Sequence, residues 1–292
     1  MGSVSTYAQV RLGQRTPAAR YRHSLWLLTK RDLRVRYATS ALGYLWSILD
    51  PLVMSGIYWF VFTQIFKRSV GEDPYIVFLL CGMLPWIWFN GAVSDSTRAF
   101  RSEAKLIRST TIPRTIWVNR IVLSKGIEFL LSLPVLAAFA IFSGATINWN
   151  ILLFPLAIVI QGVLTMGASM IIAPLAVFFR DLERAVKLFL RFLFYASPII
   201  YSARDLPGAC VKGVARSHCA ASVGQQADVL FSWHFWAAFN PLTGIFSLYR
   251  SAFFPVELDW YDVIVGAIVS VILLIVGFIV FKRCERAILK EL

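Results

Sequence analysis

Residues 20–66 read RYRHSLWLLTKRDLRVRYATSALGYLWSILDPLVMSGIYWFVFTQIF, and the rest of the chain is organised around this stretch. It begins with an arginine-dense segment and ends in an apolar run. That run has about 25 residues and, at about 1.5 Å per helical residue, can cross a bilayer core of about 30 Å. The stretch therefore predicts a basic helix on a membrane surface that leads into a membrane-spanning helix.

Composition and charge point to an integral membrane protein. Hydrophobic residues make up 58% of the chain and charged residues 15%, whereas soluble domains average about 45–50% and about 25%. Hydropathy predicts six spans, near 42–66, 75–97, 117–142, 151–179, 186–202 and 262–281. The inner segments, taken as 1–41, 98–120, 180–191 and 282–292, carry 22 of the 29 Lys and Arg residues, and the outer segments 67–74, 143–150 and 203–261 carry 6. This positive-inside bias predicts a plasma (inner) membrane protein with both termini in the cytoplasm. The net charge of +13 is therefore attributed to topology and anionic lipid, and no nucleic-acid partner is expected.

The predicted fold is an all-α, six-span membrane protein with extra interfacial helices. Residues 1–19 form a flexible cytoplasmic tail, 20–41 an amphipathic interface helix, 42–281 the transmembrane domain and 282–292 a cytoplasmic tail. Within the domain, an outer loop and short re-entrant helices occupy 203–255, because Asn240-Pro241, Gly244 and Arg250 argue against a seventh span there. The fourth span contains small residues that allow close helix contact: Gly162, Gly167, Ala168 and Ser169.

Six strings of this sequence occur in an order that resembles a known family. The first, RDLRVRY…SALGYLWSILDPL, lies in the opening stretch. They continue with GMLPWIWF at 82–89, AKLIRSTTIPR at 104–114, FFRDLERAV at 178–186, FYASPIIY at 194–201 and NPL at 240–242. Together they resemble the membrane subunit of polysaccharide ABC exporters, the permeases for O-antigen, capsule, teichoic acid and mycobacterial galactan. The resemblance implies a half-transporter: two copies of this chain with two ATPase subunits, moving a lipid-diphosphate-linked polysaccharide outward.

ATP hydrolysis is assigned to the partner chain. No G-x-x-x-x-G-K-[ST] string, which would cradle phosphates, occurs in the 292 residues. ATP and magnesium are therefore expected on the ATPase subunit, with no cofactor, metal or catalytic residue in this chain. The alternative is a membrane-embedded glycosyltransferase or lipid-sugar enzyme. Its candidate acids lie on the outer side and follow no recognisable signature: Asp205, Asp228, Glu257 and Asp259.

Arginines of the surface helix are candidates for binding the lipid diphosphate. These residues are Arg31, Arg34 and Arg36. The planar guanidinium group offers two donors to phosphate oxygens at once. The alternative is an electrostatic membrane anchor, and the two roles are compatible.

The resemblance also assigns ATPase-coupling contacts to two inner segments. The first is a short helix in 101–115 that ends before Pro113, with polar contacts Glu103, Lys105, Arg108 and Arg114. The second is the elbow after the fourth span, with Arg180, Asp181, Glu183 and Arg184. The alternative for both segments is a set of solvated charges worth little to stability.

Aromatic residues of three spans are candidates for lining a glycan path, because apolar faces of sugars pack on aromatic rings without requiring a specific linkage. They are Tyr58, Trp59, Phe62, Trp86, Trp88, Phe89, Tyr195 and Tyr201. The alternative is a lipid-facing aromatic belt or ordinary packing.

Three further residues carry open questions. Cys210 and Cys219 share the outer loop, where a disulfide could persist, and the alternative is two unpaired thiols. Asp50 precedes Pro51 in the first span, where it either faces a cavity or satisfies backbone groups freed by the proline.

Overall fold

The computed structural model describes residues 16–38, 45–65, 71–110, 112–205, 237 and 239–291. Within these ranges all regular secondary structure is helical, as the sequence predicts. The α-helices, in chain order, are α1 Pro17–Ala38, α2 Leu45–Trp59, α3 Tyr75–Ser96, α4 Ala104–Ser109, α5 Thr115–Phe142, α6 Phe154–Phe178, α7 Leu182–Ala196, α8 Pro241–Ser251 and α9 Trp260–Glu291. A π-helical segment Phe60–Ile65 extends α2, and 3₁₀ turns lie at Trp149–Leu153, Ala203–Asp205 and Pro255–Glu257.

Four helical stretches of the described ranges are long and apolar enough to cross a membrane. They are Tyr75–Ser96, Thr115–Phe142, Trp149–Phe178 and Trp260–Glu285, which match four of the six predicted spans. The predicted span 42–66 starts at residues outside the description, and its apolar helix Leu52–Ile65 is shorter. The predicted span 186–202 is interrupted, because Ser197 is extended ahead of Pro198. The count of six crossings remains a prediction.

Helix α3 forms the centre of the fold. In the apolar stretch of α3, 78% is buried inside the chain, against 22–28% in the apolar stretches of the other three spans. Pro85 lies inside this helix and cannot donate a backbone hydrogen bond. Gln161 of α6 donates to the Pro85 carbonyl at 2.7 Å and accepts from the Tyr249 hydroxyl of α8 at 2.7 Å. Because both ends of this buried amide are bonded, it joins three helices without leaving an unsatisfied polar atom.

Helices α6 and α9 approach each other through glycines. A Cβ added at Gly167 would lie 2.6 Å from the Leu274 nitrogen, and one at Gly277 would lie 2.5 Å from the Gly167 carbonyl oxygen. Only a residue without a side chain fits such a backbone contact. The small-residue run of the fourth predicted span therefore marks a helix–helix interface at Gly167.

Helix α7 is bound to both ends of α3 and runs antiparallel to it. At its start, Glu183 accepts a hydrogen bond from Arg98, just beyond the last turn of α3. Beyond its end, the Ile200 carbonyl accepts from the Tyr75 hydroxyl, in the first turn of α3, at 2.8 Å. Midway, Phe194 packs on Trp86 with ring centroids 5.5 Å apart. The segment from Glu183 to Ile200 thus follows α3 along its length.

Helix α8 is short and almost wholly buried. Asn240 caps it by accepting a hydrogen bond from the Leu242 nitrogen at 3.1 Å, and Pro241 occupies the first turn. A Cβ at Gly244 would lie 2.2 Å from the Asp262 carbonyl oxygen, so α8 sits directly against the start of α9. Residues 206–236 of the predicted outer loop lie outside the description. The re-entrant gate over 203–255 therefore remains a prediction.

Candidate functional site

Four charged side chains meet at the end of the molecule that holds α4 and the starts of α5 and α7, which we call the charged end. Arg120 of α5 donates to both carboxylate oxygens of Asp32 in α1, at 2.6 and 2.7 Å. It also lies 3.3 Å from Glu103, which accepts hydrogen bonds from Arg31. The Arg120 side chain is only 4% exposed. This network fixes the surface helix α1 to both α4 and α5.

The three arginines predicted to bind a diphosphate differ in their surroundings. Burial lowers the pKa of Arg31, but its hydrogen bonds to Glu103 and Asp32 outweigh that effect and leave the pKa raised. Its guanidinium group is already bonded to carboxylates. Arg34 is exposed. Arg36 lies in α1, but its side chain is outside the description. Of these three arginines, Arg34 is therefore the one whose described side chain is exposed.

The predicted coupling residues of the first inner segment divide into bound and exposed groups. A helix is present at Ala104–Ser109, with Ile107 buried beneath it. Glu103 belongs to the network, and Arg114 pairs with Glu285 of α9 at 3.2 Å. Lys105 and Arg108 of α4 are exposed. The short helix α4 thus packs against the chain through Ile107 and exposes the cations Lys105 and Arg108.

The elbow at the start of α7 shows the same division. Hydrogen bonds from Arg98 and then Lys187 lower the pKa of Glu183 to about 2. The bond from Lys187 is 2.7 Å long. The other three predicted residues of the elbow are exposed, namely Arg180, Asp181 and Arg184. Glu183 therefore attaches the elbow to the end of α3, and its neighbours remain accessible.

Candidate aromatic residues form one cluster on the α7 side of α3. Phe194 packs on Trp86 and, with centroids 6.1 Å apart, on Tyr58 of α2. Phe89 contacts Trp86 at 5.9 Å, and Tyr195 contacts Phe194 at 5.1 Å. Trp86 and Phe89 are buried, whereas Tyr195 is 62% exposed. The cluster thus has an exposed edge at Tyr195.

The remaining candidate aromatics lie apart from that cluster. Trp88 stacks on Phe129 of α5 at 5.3 Å, and its indole nitrogen donates to the Val122 carbonyl at 3.1 Å. Trp59 is 40% exposed. Phe62 faces Tyr75 at 6.4 Å, and the Tyr201 hydroxyl donates to the Tyr195 carbonyl at 3.2 Å. Trp88 is therefore a core residue of the single chain, on the face of α3 away from α7.

A buried arginine holds the segment after α7 at the opposite end of the molecule. Arg250 is 1% exposed and donates to the carbonyls of Ile199 and Tyr201 at 2.7 and 3.3 Å. It lies 3.8 Å from Glu257, which accepts a 2.6 Å hydrogen bond from Ser202. The Glu257 named as a candidate acid of an enzyme is thus part of an ion pair that anchors residues 199–202.

A first group of candidate residues lies outside the part of the chain that the structure describes. A second group makes contacts that the sequence does not predict. Cys210, Cys219 and Asp228 are in the first group, together with the side chains of Asp50 and Asp205. Arg120, Asp32 and Phe194 belong to the second. In the sequence, only the position of Arg120, a charge at the start of an apolar span, indicates a polar contact there.

Comparison with known proteins identifies the family of the chain. The sequence profile described as "ABC-2 type transporter" matches residues 23–213. The O-antigen export system permease protein RfbA of Klebsiella pneumoniae is 32% identical over 265 residues, which cover 89% of this chain and 92% of that protein. RfbA of Myxococcus xanthus is 27% identical over 263 residues, covering 90% and 92%. The polysialic acid transport protein KpsM of Escherichia coli is 24% identical over 277 residues, covering 89% and 92%. The chain belongs to the ABC-2 type transporter family of membrane proteins.

Proposed function

We propose that this chain is the permease subunit of an ATP-driven exporter that moves a lipid-diphosphate-linked polysaccharide across the plasma (inner) membrane. The observation that carries the proposal is the charged end. There the short helix α4 packs against the chain through the buried Ile107 and exposes its cations beside the exposed elbow at the start of α7. Family membership and the O-antigen export relatives support the substrate class. An O-antigen-like glycan and a cell-wall galactan both remain within this proposal.

The proposed topology has six crossings and both termini in the cytoplasm. Four crossings are the long apolar helices. Helix α2 with its π-helical extension is the first crossing, and the predicted span 186–202, which begins within α7, is the fifth. The fifth is supported by the contacts of its two ends with opposite ends of α3. The positive-inside bias supports the placement of the charged end in the cytoplasm.

The proposed assembly contains two copies of this chain and two ATPase subunits. Helix α4 and the elbow contact the ATPase through their exposed charges, Lys105, Arg108, Arg180, Asp181 and Arg184. The glycan passes between α2 and α7 of facing copies, beside the aromatic cluster. The diphosphate is taken up at α1, where Arg34 is exposed.

Measurement of ATP hydrolysis beside glycan export tests this function. We expect no ATPase activity from the chain alone, and activity once the partner ATPase is co-expressed. Arg108→Glu should retain assembly of the two copies but lower export per ATP hydrolysed. Arg22→Glu, at an exposed arginine of α1, is the matched control and should leave that ratio unchanged. ATPase activity of a partner-free preparation, or unaltered coupling in Arg108→Glu, would contradict the proposal.

A further inference from the structure

Helix α7 carries three basic residues on one exposed face. Arg184, Lys187 and Arg191 follow the spacing i, i+3, i+7, which places them on one stripe of a helix. All three are exposed, whereas Val186 and Leu190 on another face are buried. From Arg184 to Arg191 the stripe extends about 10 Å along the helix axis. We call these three residues the basic stripe.

Arg191, the last residue of the basic stripe, lies far from the charged end. Glu183, bonded to Arg98, marks the level where α3 ends. Arg191 is about 12 Å further along the helix. It lies one turn before Phe194, which packs on Trp86 halfway along α3. In the proposed topology, Arg191 is therefore about one turn from the middle of the membrane.

An exposed arginine at that depth requires a polar counterpart. Charged side chains inside a bilayer are costly and face a water-filled cavity or an anionic partner. Lys187 already bonds Glu183 at 2.7 Å. In the described part of the chain, no carboxylate lies within ion-pairing distance of Arg191 or Arg184. The guanidinium groups of these two arginines thus face outward from the single chain.

Beside the basic stripe lies an exposed apolar strip. Leu188 and Phe192 are 68% and 67% exposed, and they adjoin Arg184 and Arg191 around the helix. A basic stripe next to an apolar strip matches a ligand that is itself amphipathic. A phosphate-bearing lipid has both parts, because its phosphates can meet the guanidinium groups while its hydrocarbon chain remains in the bilayer.

We propose that Arg191 binds the diphosphate of the polyprenyl-type lipid carrier within the membrane during its outward movement. This inference rests on the proposed function and assigns it a second phosphate-binding position, beyond the surface helix α1. The guanidinium fork can hold two phosphate oxygens, and an ammonium group cannot. Arg191 offers such a fork within the membrane.

Binding of a polyprenyl diphosphate probe to the full chain in nanodiscs of neutral phosphatidylcholine tests this proposal. We expect Arg191→Gln to raise Kd for the probe about tenfold or more, the effect of losing a charge-assisted hydrogen bond. Arg191→Lys should give a smaller but measurable loss. Arg283→Gln, at an exposed arginine near the end of α9, is the control and should bind as the unmodified chain does. Polyprenyl alcohol should bind equally to all variants, and a thermal unfolding profile verifies that each variant is folded.

The outcomes separate this inference from the function on which it rests. If the unmodified chain does not bind the diphosphate, both are contradicted. If it binds and Arg191→Gln and Arg191→Lys bind equally well, the function stands and the role of Arg191 is wrong. If phosphatidylglycerol displaces the probe as effectively as polyprenyl diphosphate, the stripe is a general site for anionic lipid, which also overturns the proposal.

Discussion

Arg120 and Asp32, which are 88 residues apart in sequence, form two hydrogen bonds of 2.6 and 2.7 Å between α5 and the surface helix α1. Glu103, at the start of α4, accepts from the same arginine and from Arg31. The helix proposed to receive the substrate and the helix proposed to contact the ATPase are therefore joined by one ionic network. A displacement of α4 by the ATPase would be transmitted directly to α1.

Arg120→Met should destabilise the chain by about 2–3 kcal/mol, because it removes one of two cations and leaves the half-buried Asp32 and Glu103 with Arg31 alone. Arg22→Met, at an exposed position of α1, should have little effect. Thermal unfolding of the purified chain measures both changes. Asp32→Leu combined with Arg120→Met should recover part of the loss, since an apolar pair can replace a buried ion pair. Equal stability of Arg120→Met and the unmodified chain would show that the network does not hold α1.

Gly167→Ala should destabilise the packing of α6 on α9 by about 1–3 kcal/mol, because its Cβ would meet the Leu274 backbone nitrogen at 2.6 Å. Gly162 lies on the same helix, and a Cβ there would reach only the Trp88 ring, at 3.8 Å. Gly162→Ala is thus the matched control and should be neutral or stabilising. Chemical unfolding in detergent compares the two variants. Identical behaviour of both would refute the close contact.

Trp88→Ala and Tyr195→Ala should affect different properties. Trp88 is buried, stacked on Phe129 and bonded to the Val122 carbonyl. Its loss should cost about 3–5 kcal/mol of stability. Tyr195 is 62% exposed at the edge of the aromatic cluster, so its loss should slow export and leave unfolding nearly unchanged. Export and thermal unfolding are measured in parallel. Normal export by Tyr195→Ala would remove this residue from the proposed glycan path.

The elbow should loosen only at strongly acidic pH. The pKa of Glu183 is lowered from 4.5 to about 2, so its bonds to Arg98 and Lys187 contribute fully above pH 4.5. Their contribution declines as pH falls from about 4.5 towards 2 and disappears below that. The midpoint of thermal unfolding of the unmodified chain should therefore approach that of Glu183→Gln across this range. A constant difference between the two at pH 7 and pH 2.5 would contradict this assignment.

Local features of the charged end could be predicted from the sequence. The helix in 101–115 follows from its amphipathic pattern and from Pro113, and the elbow helix follows from the charge spacing around Glu183. Long-range contacts could not be predicted this way. The bonds of Arg120 depend on how α1 packs across α5, and the sequence shows only that a charge begins an apolar span.

The aromatic cluster shows a second limit of sequence reading. Trp86 and Trp88 are close in sequence, and the sequence alone predicts one candidate surface for both. Two residues along a helix correspond to a rotation of about 200°, so the rings point to opposite sides of α3. Trp86 meets Phe194 of α7, and Trp88 meets Phe129 of α5. Because α3 is apolar all round, its sequence gives no indication of which face meets which neighbour.

The central claim is that this chain forms the membrane path of an ATP-driven polysaccharide exporter. The direct test is a proteoliposome containing the chain, its partner ATPase and a lipid-linked glycan that is accessible on the ATPase side. We predict that the glycan becomes accessible on the opposite side only when ATP and both proteins are present, and that it remains chemically unaltered. Transfer without ATP, or conversion of the glycan by this chain without transfer, would contradict the claim.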